Sequence, residues 1–153
     1  MNEDKYLPYT ILFLRLALAF TMLSSVADRF GFWGDTGDKG VRWGDWFNFA
    51  GYTHTVVPFV SRGFGEKIAT ASTLLEVTLA LMLLFGFRVR WAAVGVFILS
   101  LLLAMALSIT FGIKEVFNQQ VFVTMAASLL LACMPVYKWT LNGIKKKTVY
   151  KHY

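Results

Sequence analysis

Three long apolar runs that carry almost no charge, at about 7–27, 68–87 and 91–111, constrain this chain more than any other feature. Each has the ~20 residues that a helix needs to cross a ~30 Å hydrocarbon core. A fourth run over 119–137 has an apolar centre of about 17 residues, at the lower limit for a span. Gln119 and Gln120 open it and are expected to extend it, buried against the other helices. A soluble bundle would need a polar stripe on every helix, and these runs are apolar almost all round. Hydrophobic residues make up 57% of the 153 residues, above the ~45–50% of soluble domains. The expected fold is therefore all-α: an integral membrane four-helix bundle in a single domain over 1–153. An outer segment, 28–67, separates helices one and two, and a basic cytoplasmic tail, 138–153, follows the last span.

Ser25-Val26-Ala27 loosely resembles a signal-peptide cleavage site. The leading Asn2-Glu3-Asp4-Lys5 is not a basic n-region, however, and Arg15 interrupts the apolar run. The first run is expected to be retained as a span.

The formal charge of +6 invites a nucleic-acid reading, which its distribution opposes. With the N-terminus inside, the inner segments hold Lys5, Arg88, Arg90, Lys138, Lys145, Lys146, Lys147 and Lys151 against Glu3 and Asp4. The outer segments are balanced, with Arg29, Lys39, Arg42, Arg62, Lys67 and Lys114 against Asp28, Asp35, Asp38, Asp45, Glu66 and Glu115. An excess of Lys and Arg in short loops marks the cytoplasmic side, so both termini are placed inside. The partner implied is a lipid bilayer, whose anionic headgroups suit the basic tail, and no nucleic acid.

The outer segment begins with glycines and aspartates over 34–40, which favour turns. It then becomes aromatic. Trp43, Trp46, Phe47 and Phe49 recur at roughly helical spacing, which predicts a short helix in the membrane interface, ended or redirected by Pro58. Trp33, Trp43, Trp46, Phe47, Tyr52 and His54 are the candidates for contact with a membrane or periplasmic partner protein.

Two full charges fall inside spans, Arg15 and Glu76. A charge at mid-bilayer costs at least ~2.5 kcal/mol on insertion scales, so such residues face the bundle interior and find partners. Arg15 lies about eight residues from the inner end of span one, and Glu76 about eight from the outer end of span two. At 1.5 Å per residue each is ~12 Å deep, so their depths differ by only ~6 Å. An intramembrane Arg15–Glu76 ion pair is expected, either as an architectural clamp or as part of a polar pocket. Ala69, Ser72, Thr73, Glu76 and Ala80 share one face of span two, and Gln120, Thr124, Ala127 and Ser128 form a stripe on span four. Arg15, Glu76, Ser72, Thr73, Gln120 and Thr124 form the candidate intramembrane polar site.

The single cysteine, Cys133, can form no internal disulfide. With His54 and His152 the only histidines, no metal-binding set is assembled. No phosphate loop and no arrangement of nucleophile, base and oxyanion donors exists either, so intrinsic catalysis is not expected.

Leu14-Arg15-Leu16-Ala17-Leu18-Ala19-Phe20 in span one, and Leu75-Glu76-Val77 with Leu83-Leu84-Phe85-Gly86-Phe87 in span two, resemble the DoxX family of small four-helix bacterial membrane proteins. The resemblance covers about 10–135, with Arg15 and Glu76 as its most specific positions. Where the family pattern continues helix one with small-Gly-x-x-Lys, this chain has Ser24-Ser25-Val26-Ala27-Asp28-Arg29, and its first outer segment is longer and richer in tryptophan. The resemblance implies a bacterial cytoplasmic membrane location and an accessory or quinone-associated subunit of a membrane redox system. A quinone is then the implied cofactor. The competing reading is a non-catalytic scaffold or assembly factor that binds a partner through the outer aromatic segment. A solute transporter would need an internal repeat or broken helices, which the sequence does not offer.

Overall fold

The structure, a computed structural model, describes residues 3–135 and 137–141. Its helices are α1 (Glu3–Arg29), α2 (Trp46–Val56), α3 (Arg62–Phe85), α4 (Val89–Phe111), α5 (Ile113–Asn118) and α6 (Val121–Cys133), with no strand among the described residues. Three of them, α1, α3 and α4, are long and apolar enough to cross a membrane. The Lys145 to Lys147 cluster and Lys151 of the expected basic tail lie outside the described residues.

The fourth span is shorter than expected. Among the described residues of 119–137 only Val121–Cys133 is helical, 13 residues, or ~20 Å at 1.5 Å per residue. Pro135 ends it. Proline disfavours helical backbone in the residue before it, and Met134 is extended at φ −63°, ψ 137°. At the other end Gln120 takes a left-handed conformation, φ 54°, between α5 and α6. Gln120 is consequently exposed, while Gln119 is half-buried.

Helix α1 packs on α3, α3 on α4, α4 on α6, and α6 returns to α1, closing a four-helix ring. Helices α3 and α4 are joined at what we term the hairpin end. There Gly86 caps α3 in the left-handed region, φ 70°, with its N–H donating to the Leu83 carbonyl, and Arg88 opens α4, also left-handed. The half of the bundle near this turn is tightly packed. Ala19, Ala80, Ala92 and Ala93 are fully buried together with Leu83 and Leu131, so the backbones approach closely.

Residues 134–135 and 137–141 fold across the hairpin end. Arg15 Nη2 donates to the Trp139 carbonyl at 3.2 Å, and Arg90 Nη2 to the Met134 carbonyl at 3.2 Å. The Tyr137 hydroxyl donates to the Leu131 carbonyl at 2.7 Å, and Tyr9 packs on Trp139 with ring centroids 5.3 Å apart. Arg15, 3% exposed, therefore ties this strap to α1.

The opposite, loop end is covered by residues 30–45 and α2. The expected aromatic helix at 43–49 forms later, over Trp46–Val56, because Asp45 caps it. The Asp45 carboxylate accepts from the Asn48 N–H at 2.7 Å, leaving Trp43 in the loop. Instead of standing apart, α2 packs across α3 and α4. The Thr110 hydroxyl donates to the Val56 carbonyl at 2.7 Å, and His54 packs against Gly65 on α3. Gly51, in the middle of α2, has open space where a Cβ would stand. Gly51→Ala is expected to stabilise the protein by about 0.5–1 kcal/mol by restricting the unfolded chain, read as a higher melting temperature in detergent.

Candidate functional site

The charged centre of the bundle is built by Glu76 with Arg29, not with Arg15. Arg29 Nη2 makes an ion pair with Glu76 Oε2, their side chains 6% and 18% exposed. Arg29 Nη1 also donates to Thr73 Oγ1 at 2.7 Å, Nη2 to Ser25 Oγ at 3.3 Å, and the guanidinium lies 3.9 Å from the centroid of the Phe49 ring. The Thr73 hydroxyl in turn donates to the Ala69 carbonyl at 2.8 Å.

The physical reason is side-chain direction. Helical side chains lean toward their own N-terminus. Helices α1 and α3 are antiparallel neighbours, so Glu76 leans toward the loop end and Arg15 toward the hairpin end. The two diverge although their Cα depths are close. Arg29, two residues beyond the apolar run, leans back into the bundle and meets Glu76. By its position after the apolar run alone, Arg29 counts among the balanced outer charges. The available signal was Ser25 four residues earlier, on the same helical face.

Between this pair and α2 lies a cavity of about 610 Å³. One face of α2 roofs it with Phe49, Tyr52, Thr53 and Val56, at the i, i+3, i+4, i+7 spacing of a helical stripe. The four bundle helices supply hydroxyls to its wall: Ser25 from α1, Ser72 from α3, Ser100 from α4 and Thr124 from α6. Ser72 donates to the Ala69 carbonyl, whereas the hydroxyls of Ser100 and Thr124 make no hydrogen bond among the described residues. Most of the remaining wall is aliphatic, including Met22, Ile68, Leu75, Val96 and Leu99.

The loop wall is held by Asp28, next to Arg29 and 7% exposed. Its carboxylate accepts from the backbone N–H of Arg42 at 3.1 Å and of Trp43 at 3.0 Å. The Arg42 guanidinium then lies 4.9 Å from the Trp43 ring centroid, and Trp43 packs on Tyr52. Gln119 completes the rim: its Nε2 donates to the Tyr52 hydroxyl at 2.7 Å and to Glu115 Oε1 at 2.8 Å. Hydrogen bonds from Gln119 and Asn118 hold the Glu115 carboxyl below the usual carboxylate range.

Of the sequence-derived candidates, Glu76, Ser72 and Thr124 line the cavity and Thr73 supports Arg29, while Arg15 and Gln120 stand apart from it. Of the aromatic candidates, Trp43 and Tyr52 line it. Trp46 stacks on Phe30, and His54 is half-buried against α3. Trp33 and Phe47 remain exposed, at 62% and 71%. Arg29, Asp28, Phe49 and Gln119 join from outside the expected set. Among the described residues no cluster of His, Cys, Asp and Glu is suited to a metal ion.

Compared with protein-family models, with curated proteins and with solved structures, the chain shows no match. The three long apolar helices make it a multi-pass membrane protein of the all-α class.

Proposed function

We propose that this DoxX-like chain binds the head of a lipid-soluble quinone in its loop-end cavity, as an accessory subunit of a membrane redox system without catalysis of its own. The observation that carries the proposal is the cavity itself, of about 610 Å³. Its size suits a compact ring, since small-molecule sites run to ~300–1,000 Å³ with apolar walls and a few placed polar groups. The donor set fits as well. Quinone carbonyls accept hydrogen bonds from hydroxyls such as Ser100 and Thr124, and a hydroquinone hydroxyl donates to a carboxylate such as Glu76. Electrons would enter and leave through a partner protein, because the chain offers no thiol pair.

The topology belongs to the same proposal. Helix α6 with its flanking residues serves as a fourth, short membrane segment, and the chain lies in the bacterial cytoplasmic membrane with both termini inside. The inner excess of Lys and Arg supports this orientation, in which the cavity would lie in the outer half of the bilayer. The exposed Phe32, Trp33, Phe47 and Phe59 favour a second reading, in which the loop end docks a partner protein and the chain is chiefly a scaffold.

The test is purification from native membranes in mild detergent, followed by organic extraction and mass spectrometry. The wild type is expected to retain quinone, and a Ser100→Ala/Thr124→Val variant, which leaves the ion pair intact, at least tenfold less. Folded wild-type protein that carries a partner protein and no quinone would replace the quinone reading with the scaffold.

A further inference from the structure

Part of the cavity wall is itself exposed on the flank of the bundle. Leu79 and Gly95 each lie six residues from the hairpin, counted from Phe85 and from Val89. There the helices interlock: a Cβ on Gly95 would stand 2.6 Å from Leu79 Cδ2, so the tip of the leucine occupies the space that the glycine leaves. Above that lock the wall changes. Ala71 and Leu75 on α3 and Leu99 and Leu103 on α4 lie ten to fourteen residues from the same ends, hence at equal depth. All four line the cavity, yet Leu75 is 52% and Leu103 40% exposed on the flank of the bundle. Helix α2 bridges α3 and α4 above them. The stretch of wall between the Leu79–Gly95 contact below and α2 above, which we term the window, is thus apolar and exposed, on a face that meets lipid when these helices span a membrane.

We infer that the ligand is a tailed amphiphile taken directly from the bilayer, its ring beside Glu76 and Ser72 and its apolar tail leaving between α3 and α4. This rests on the quinone-binding reading and adds the tail and the route. The head-side groups Ser72 and Glu76 each follow a window residue by one position, Ala71 and Leu75, so one turn of α3 carries both halves of the recognition. The tail lies in lipid rather than in protein, which makes the site tolerant of tail length and selective for the head.

The test uses the full chain in nanodiscs with two probes, a benzoquinone bearing a long isoprenoid tail and the same ring without a tail, and reads quenching of the native tryptophans. Ala71→Phe and Leu103→Phe narrow the window without touching the polar groups. Each is expected to weaken the tailed probe at least tenfold and the tailless ring less than twofold, the latter result also showing that the variants are folded. Equal loss of both probes, or no loss of the tailed one, would overturn the window while leaving quinone binding intact. A wild type that binds neither probe, and shows only phospholipid adducts by native mass spectrometry, would overturn the quinone reading itself.

Discussion

Glu76→Ala is expected to destabilise the protein by about 3–5 kcal/mol, the loss typical when one partner of a buried ion pair is removed. The arginine left behind explains the size. Arg29 is only 6% exposed in its side chain, and a guanidinium cannot shed its proton. Of what remains, the Thr73 and Ser25 hydroxyls and the Phe49 ring carry no full charge, and the neighbouring Asp28 carboxylate is already engaged by the Arg42 and Trp43 N–H groups. Arg29→Met is expected to cost less, because the orphaned carboxylate can be neutralised by a proton. The double variant Arg29→Met/Glu76→Leu should recover much of the loss, since a well-packed apolar pair avoids desolvating either charge. Equilibrium unfolding in mixed micelles gives all three values. Additive single-variant losses would show that the two side chains are not coupled.

Gly86→Ala is expected to lose about 2–4 kcal/mol, a left-handed penalty of about 1–2 kcal/mol plus the cost of overpacking. At φ 70° a Cβ would stand 2.9 Å from the backbone Cα of Thr140 and 3.0 Å from Arg15 Nη1. A backbone neighbour cannot rotate away as a side chain can, so the strap of residues 137–141 must lift. Lifting it breaks the bond from Arg15 to the Trp139 carbonyl. The expected signature is faster hydrogen exchange and cleavage at the strap together with a lower melting temperature. Gly51→Ala supplies the opposite sign in the same assay. Unchanged protection at the strap in Gly86→Ala would show that it does not rest on this turn.

The most informative disagreement between sequence and structure concerns Arg15 and Arg29. Counting residues along an apolar run gives the depth of each Cα, and by that measure Arg15 suits Glu76. Depth is not direction. The tilt of side chains toward the N-terminus of each helix separates Arg15 from Glu76 and delivers Arg29, whose Cα lies at the edge of the span. A second disagreement has a local cause. Pro135 sits inside an apolar stretch and is invisible to hydropathy, yet it fixes the end of α6 through the conformation of Met134. That signal was in the sequence. The convergence of Ser72, Glu76 and Thr124 on one cavity was only partly legible, because small hydroxyl residues at helical spacing equally suit plain helix packing.

The sequence by itself determined the class of this protein, since apolar length and the lack of polar stripes leave helices in lipid as the favourable state. It also marked the turn-rich and aromatic parts of the loop. Only the tertiary structure decided which charges meet, that α2 roofs a cavity, and that the exposed Leu75 and Leu103 also line it. Which charges meet and which residues face the cavity depend on how helices are rotated about their axes and on which way each side chain leans. In a chain apolar almost all round, periodicity leaves that rotation undetermined.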